Sequence, residues 1–346
     1  MSKIKETIAT NTIIIGTGIA GLSAALNLDE NHQILLLCKK SFNHSSTNWA
    51  QGGIAAAMNE SDSFEKHIND TLKAGHGLCN ESSVKKIIKA GPLEIKKLIS
   101  WNINFDQKNK KLCFTKEGGH TETRVIHKKD HTGQELIKKL KKRIKESKNI
   151  TVIENTYIFK LLTNKNKCIG CLGIKNNQVT QFNANNLILA TGGYAQIYKN
   201  NTNPNNITGD GIALAYQAGC NIENLEFIQF HPTTISLNSE IFLLSEAIRG
   251  EGGKLVNKNN ECFMKDKHPL KELAPRDIVA KEIEREQKRT KGPIYLSFEK
   301  MKCNIKKRFP KIYKKCLKNN IDITKEKILI NPAAHYCMGG IKTTHT

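Results

Sequence analysis

Thr12-Ile-Ile-Ile15 runs directly into Gly16-Thr-Gly-Ile-Ala-Gly21, and Leu22–Leu28 follows with a helical apolar face. A β-branched apolar run, three glycines at fixed spacing and an amphipathic stretch predict strand, tight turn and helix in that order. In that setting Gly-x-Gly-x-x-Gly is a dinucleotide fingerprint. Its glycines permit a tight turn and close approach of backbone to a pyrophosphate, whose charge meets the helix N-terminus. Ile34–Leu37 is the expected second buried strand. Where such folds usually place an acidic ribose partner, this chain has Cys38 and Lys39.

Working outward, Thr132-Gly-Gln-Glu135 looks like a capping box that opens a helix, with Leu136, Ile137, Leu140 and Ile144 on one face. Thr151–Ile153, Tyr157–Leu162, Cys168–Ile174 and Val179–Phe182 are predicted as strands of a meander that leads to a buried strand at Leu187–Leu189. Asp210–Ala218 is predicted as a helix closed by Gly219. Residues 299–327 are basic, and the stripe of Met301, Ile305 and Phe309 predicts a helix.

The 346 residues exceed one small domain, and 38% hydrophobic with 25% charged residues describe a globular protein with matter for a core. No apolar run approaches the roughly 20 residues of a spanning helix, so no membrane role is expected. The net charge of +22 invites a nucleic-acid reading. Only seven of the 54 basic residues are arginine, however, and lysine, asparagine and isoleucine crowd the whole chain. That pattern is a compositional bias and not a patch, so no nucleic-acid partner is expected. Each retained arginine (124, 143, 249, 276, 285, 289, 308) instead marks a position where a guanidinium is required. Ten cysteines without framework spacing favour a reducing, cytoplasmic compartment. Cys168-Ile-Gly-Cys171 has no second ligand pair nearby and is expected to be apolar strand matter, with no metal bound.

Two further glycine-rich segments join the fingerprint. Ser46-Thr-Asn-Trp-Ala-Gln-Gly-Gly53 and Ala190-Thr-Gly-Gly193 offer backbone donors without bulk, suited to a large planar cofactor and its phosphates. With Lys116-Glu-Gly-Gly-His120, Thr208-Gly-Asp-Gly211, Gln229-Phe-His-Pro-Thr233, Leu244-Ser-Glu-Ala-Ile-Arg-Gly-Glu-Gly252, Ala274-Pro-Arg-Asp277 and Ala334-His-Tyr-Cys-Met-Gly-Gly340, they occur in one register. From about Thr12 to Gly340 the chain thereby resembles the flavoprotein family of L-aspartate oxidase and of the fumarate reductase and succinate dehydrogenase flavoprotein subunits.

The resemblance implies an α/β protein with a doubly wound, Rossmann-like FAD-binding domain over 1–224 and an inserted α+β capping domain over 225–336. Residues 337–346 would begin the return to the FAD domain. In the family that return continues into the last part of the FAD domain and a C-terminal helical domain, which are expected to be absent. FAD would contact Gly16, Thr17, Gly18, Ile19, Ala20, Gly21, Lys39, Ser46, Thr47, Asn48, Trp49, Ala50, Gln51, Gly52, Gly53 and Asp210. Ser46 stands where the dehydrogenase and reductase subunits carry a flavin-linking histidine, and His44 lies two residues too early, so non-covalent FAD is expected. Glu117 would meet the ammonium of L-aspartate, an interaction that fumarate and succinate cannot use. His231, Ser245 and His335 would bind carboxylates, and Arg276 would transfer a proton or clamp a carboxylate. The implied reaction oxidises L-aspartate to iminoaspartate with hydride to FAD, dioxygen or fumarate as acceptor, and a product used in quinolinate and NAD synthesis, with quinolinate synthase as a possible partner. The alternatives are a soluble fumarate reductase or succinate-oxidising flavoprotein, an inactive remnant, or a lysine-rich nucleic-acid binder without chemistry.

Overall fold

In the computed structural model, which describes residues 4–238, 240–301 and 303–344, β1 (Glu6–Ile15) lies between two parallel neighbours. β2 (Ile34–Leu37) pairs on one side, Ile13 opposite Leu35 and Ile15 opposite Leu37; the strand Gln178–Leu189 pairs on the other. Ile150–Ile153 extends the sheet beside β2, and the antiparallel strands Lys167–Lys175 and Thr156–Asn164 complete its far edge. A central parallel strand is covered on both faces, which is why Ile13, Ile14 and Ile15 are consecutive and all buried. Helix α1 (Ile19–Asn27) follows the glycine turn and buries Leu22 and Ala25.

The chain packs as two units. One comprises Met1–Trp49, Leu136–Ile228 and Tyr336–Thr346; the other comprises Ala50–Glu135 and Gln229–His335. Residues 50–135 thus pack with 229–335. Within the second unit the strands run in the order Glu240–Leu243, Ile228–Leu237, Ile328–Cys337, Ile294–Ser297, Lys254–Val256. The helix Arg276–Thr290 buries Val279 and Ile283 in the same apolar core as Leu296, Phe309 and Ile330. The helices Phe64–Ala74 and Glu81–Ser100 also belong to this unit. Among the described residues no helix is long and apolar enough to cross a membrane.

Several local expectations change. Val179–Phe182 and Leu187–Leu189 are parts of one strand, because Asn183–Asn186 continue the parallel ladder with β1. The helix at Thr132–Glu146 forms, but Thr132 is already helical. Its hydroxyl accepts from the Lys128 N–H at 2.9 Å, and Glu135 accepts from the Asn104 N–H at 3.2 Å. Residues 299–327 are not one helix. Asn304 caps a single turn, Ile305–Arg308, and Pro310 starts a separate helix, Pro310–Leu317, since proline cannot donate within a helix but suits its first turn. Cys171 lies in the apolar core of the first unit on the strand Lys167–Lys175.

Candidate active site

The first unit holds a cavity of about 540 Å³ lined by Gly16, Thr17, Gly18, Ile19, Ala20, Lys39, Ser46, Thr47 and Asp210, with Thr191–Gly193 and Gly339–Ile341. The three fingerprint glycines have different tasks. Gly16 has φ +120°, and a Cβ there would lie 2.1 Å from the Ala190 carbonyl oxygen. A Cβ on Gly21 would lie 2.0 Å from the Gly16 carbonyl oxygen, so this glycine lets α1 close onto the turn. Gly18 faces the cavity, where a Cβ would meet only the Thr47 hydroxyl, at 3.4 Å. That hydroxyl accepts from the Ile19 N–H at 3.0 Å at the start of α1.

Lys39 donates to Asp210 and to Thr208, both at 2.7 Å, which ties the end of β2 to the helix Asp210–Gln217. Ser46 donates to Asn203 at 3.1 Å, and His44 Nε2 lies 3.0 Å from Asn205 Oδ1. Asn206, also on the cavity wall, donates to the His44 carbonyl at 3.0 Å, while its Oδ1 is buried with no partner among the described residues. A buried acceptor without a donor fits a ligand that brings hydroxyl or amino groups, as the ribose and adenine of FAD do.

The second unit holds a charged cluster drawn from four segments. Arg276, the first residue of its helix, donates from Nε to Glu246 Oε2 at 2.5 Å and from Nη1 to Gln229 at 2.8 Å. Its Nη2 lies 3.6 Å from Glu117 Oε2. Arg249 approaches the other Glu246 oxygen at 3.1 Å and donates to the Glu272 carbonyl. The Gly118 N–H also donates to Glu246 at 2.9 Å, which places the Glu117 loop beside this carboxylate. His231 and His335, on neighbouring strands, meet edge to face with ring centres 5.1 Å apart. Arg276 keeps 24% of its side chain exposed, enough for a ligand to reach it.

These groups set one another's protonation. Burial would raise both glutamates, but Arg276 and Arg249 outweigh it at Glu246, which stays well below its ordinary range. Glu117 is pushed up to about 7 by burial and by the negative charge of Glu246. Burial and nearby Arg276 hold His231 well below its usual value and His335 at about 4, so both rings are neutral near pH 7. Burial would lower Arg276, yet Glu246 and Glu117 raise it. A helix start disfavours a positive charge, but Pro275 is the cap and the two carboxylates outweigh the dipole at Arg276. Arg276 is a firm cation.

Of the sequence-selected residues, the structure brings Glu117 to Arg276 and His231 to His335. Ser245 is buried one residue before Glu246, and its hydroxyl lies 3.4 Å from the Ala247 nitrogen. The glycine-rich run 46–53 is divided: Asn48 and Trp49 do not line the cavity of the first unit, and Ala50–Gly53 belong to the second. There Gln51 donates to the Leu243 carbonyl at 2.7 Å and leaves a buried Oε1 without a partner among the described residues. A Cβ on Gly53 would lie 2.2 Å from the Ile126 carbonyl, while one on Gly52 would meet Glu117 at 3.3 Å. Glu246, Gln229 and Asn206 were not selected from sequence; for Glu246 the signal was its spacing of three from Arg249 on one helical turn.

A family model described as an FAD binding domain matches residues 11–346, so the glycine cradle and its cavity belong to an FAD-binding-domain protein. The chain is 40% identical over 341 residues to L-aspartate oxidase of Clostridium acetobutylicum, covering 97% of this chain and 77% of that relative. It is 43% identical over 337 residues to the Clostridium perfringens enzyme of the same name, covering 96% and 75%. The chain belongs to the L-aspartate oxidase family. With L-aspartate oxidase 1 of Ralstonia nicotianae the identity is 40% over 95% of this chain, which spans only 64% of that relative. In three dimensions it is similar to the E. coli quinol fumarate reductase FrdA, with a TM-score of 0.92, 30% identity, and coverage of 98% of this chain and 62% of that one.

Proposed function

We propose that the chain carries the FAD and substrate sites of an L-aspartate oxidase that converts L-aspartate to iminoaspartate in the cytoplasm. Residues 1–224 would serve mainly FAD binding and 225–336 would cap the site. The observation that carries this reading is Glu117, a carboxylate beside Arg276 in a cluster that otherwise suits anions. With Glu246 ionised and two arginines present, a protonated Glu117 leaves the cluster positive; an ionised Glu117 offers one place for a cation. L-aspartate brings two carboxylates and one ammonium, and so matches both features.

FAD, held without a covalent bond by the Gly16–Gly21 cradle and by Lys39, Ser46, Thr47 and Asp210, would supply the hydride acceptor. Asn48–Gly53 would contact FAD as well. Glu117 accepts hydrogen bonds from the substrate ammonium and orients the α-carbon. His231 and His335, both neutral, with Ser245, donate to carboxylate oxygens without adding charge. Arg276 clamps a carboxylate through the guanidinium edge that Glu246 leaves free. Because Glu246 holds it as a cation, a proton that reaches Arg276 has to pass on to Glu246 across the 2.5 Å contact. Reoxidation would use dioxygen or fumarate, and the imine would feed quinolinate and NAD synthesis, with quinolinate synthase as its recipient.

One observation favours a fumarate-reducing or succinate-oxidising site as the second reading. A Glu117 that titrates near 7 can be neutral beside a dicarboxylate without an ammonium. The substitution Glu117→Gln separates the two. Loss of a charge-assisted hydrogen bond costs about 1.5–3 kcal/mol, so L-aspartate should bind roughly ten- to a hundredfold more weakly while succinate is retained. Equal losses measured by calorimetry for both ligands would make Glu117 structural.

A further inference from the structure

Arg124 belongs to neither the cradle nor the charged cluster, yet its side chain is wholly buried. Its Nε and Nη2 donate to the two oxygens of Asp62 at 2.9 and 2.8 Å, and Nη1 donates to Asp70 at 2.5 Å. Asp62 precedes the helix Phe64–Ala74 and Asp70 lies within it, so one guanidinium ties the segment before the helix to its middle. Asp70 Oδ2 accepts two more hydrogen bonds, from the Thr121 N–H at 2.8 Å and the Thr121 hydroxyl at 2.9 Å. Thr121 ends the loop that carries Glu117. Its carbonyl accepts from Lys116 at 2.8 Å, which closes the loop on itself.

We propose that Arg124, acting through Asp70 and Thr121, is a positioning residue that holds the Lys116–Thr121 loop, and with it Glu117, in the pose that receives an ammonium group. The inference rests on the reading of Glu117 given above. Gly118 and Gly119 make the middle of this loop pliant, and Gly119 has φ +80°. Among the described residues the middle is held by backbone donors: Gly118 to Glu246, Gly119 to the Leu273 carbonyl at 3.3 Å and His120 to the Glu117 carbonyl at 3.3 Å. The distal end therefore needs its own anchor, and Asp70 is that anchor. A buried trio of two carboxylates and one guanidinium adds little stability over apolar packing; what it provides is direction, since every donor and acceptor has one place to go. Lysine has no planar fork and cannot hold both oxygens of Asp62 while reaching Asp70. This accounts for an arginine in a chain that otherwise chooses lysine.

Asp70→Asn keeps the size and one acceptor but removes the charge; Thr121→Val, on the exposed end of the loop, is the second variant should the first not fold. Two readouts apply to each: amide exchange across 117–121 without ligand, and affinity for L-aspartate against succinate. Loss of hydrogen bonds to a charged group should speed loop exchange and weaken L-aspartate by about tenfold, with succinate changed less than about twofold. Arg124→Lys should show the same two losses, since lysine lacks the planar fork. Unchanged loop exchange, or equal weakening of both ligands, overturns the positioning role. Faster loop exchange in a protein whose wild type shows no preference for L-aspartate supports the anchor and defeats the reading of Glu117 instead.

Discussion

The glycine cradle of the first unit and the charged cluster of the second are built on opposite principles. Gly16–Gly21 works by what it lacks: at Gly16 and Gly21 any Cβ would collide with a backbone oxygen. The cluster works by what it carries, with Glu117, Glu246, Arg249 and Arg276 arriving from distant parts of the chain and altering one another's charge. A backbone site is thus written in consecutive residues and is intolerant of volume. A side-chain site is dispersed and is intolerant of a change in charge.

The largest effect should follow from volume in the cradle. In Gly21→Ala the new methyl group must displace the Gly16 carbonyl, and α1 cannot keep its place against β1. Loss of bound flavin is expected, measured as visible absorbance after gel filtration; full flavin content would show that the turn is not the binding element. Next comes Glu246→Gln. It leaves Arg249 and Arg276 without their shared carboxylate, and removing one partner from a buried ion pair costs about 3–5 kcal/mol. Urea unfolding should register that loss. Unchanged stability would show that the two arginines have other compensation.

The same contrast decides what was legible in the sequence. The strand–turn–helix around Gly16 follows from local spacing, and β2 appears with the bounds expected for it. The single strand Gln178–Leu189 was hidden because Asn183, Asn185 and Asn186 interrupt its apolar pattern, although Asn183 and Asn186 stay in register with β1. The false helix over 299–327 came from a stripe that ignored the breaks at Asn304 and Pro310. In the cluster, Glu117, His231, His335 and Arg276 were selected through the resemblance, since periodicity carries no information about residues brought together from afar. A helix start is visible in sequence, whereas Glu246 thirty positions away is not.

The smallest effect is a titration, and it bears most directly on Glu117. The ordinary carboxyl value is 4.5, and burial with Glu246 raises it to about 7. An ammonium-bearing ligand prefers the ionised form, so its binding releases a proton below that value; a dicarboxylate without an ammonium prefers the protonated form. Affinities for L-aspartate and succinate should be measured by calorimetry between about pH 6 and 8, where the arginines and Glu246 keep their charges. L-aspartate should weaken as pH falls through 7, by at most about tenfold per pH unit, while succinate strengthens. Parallel pH dependences for the two ligands would contradict the assignment of Glu117 as the ammonium site.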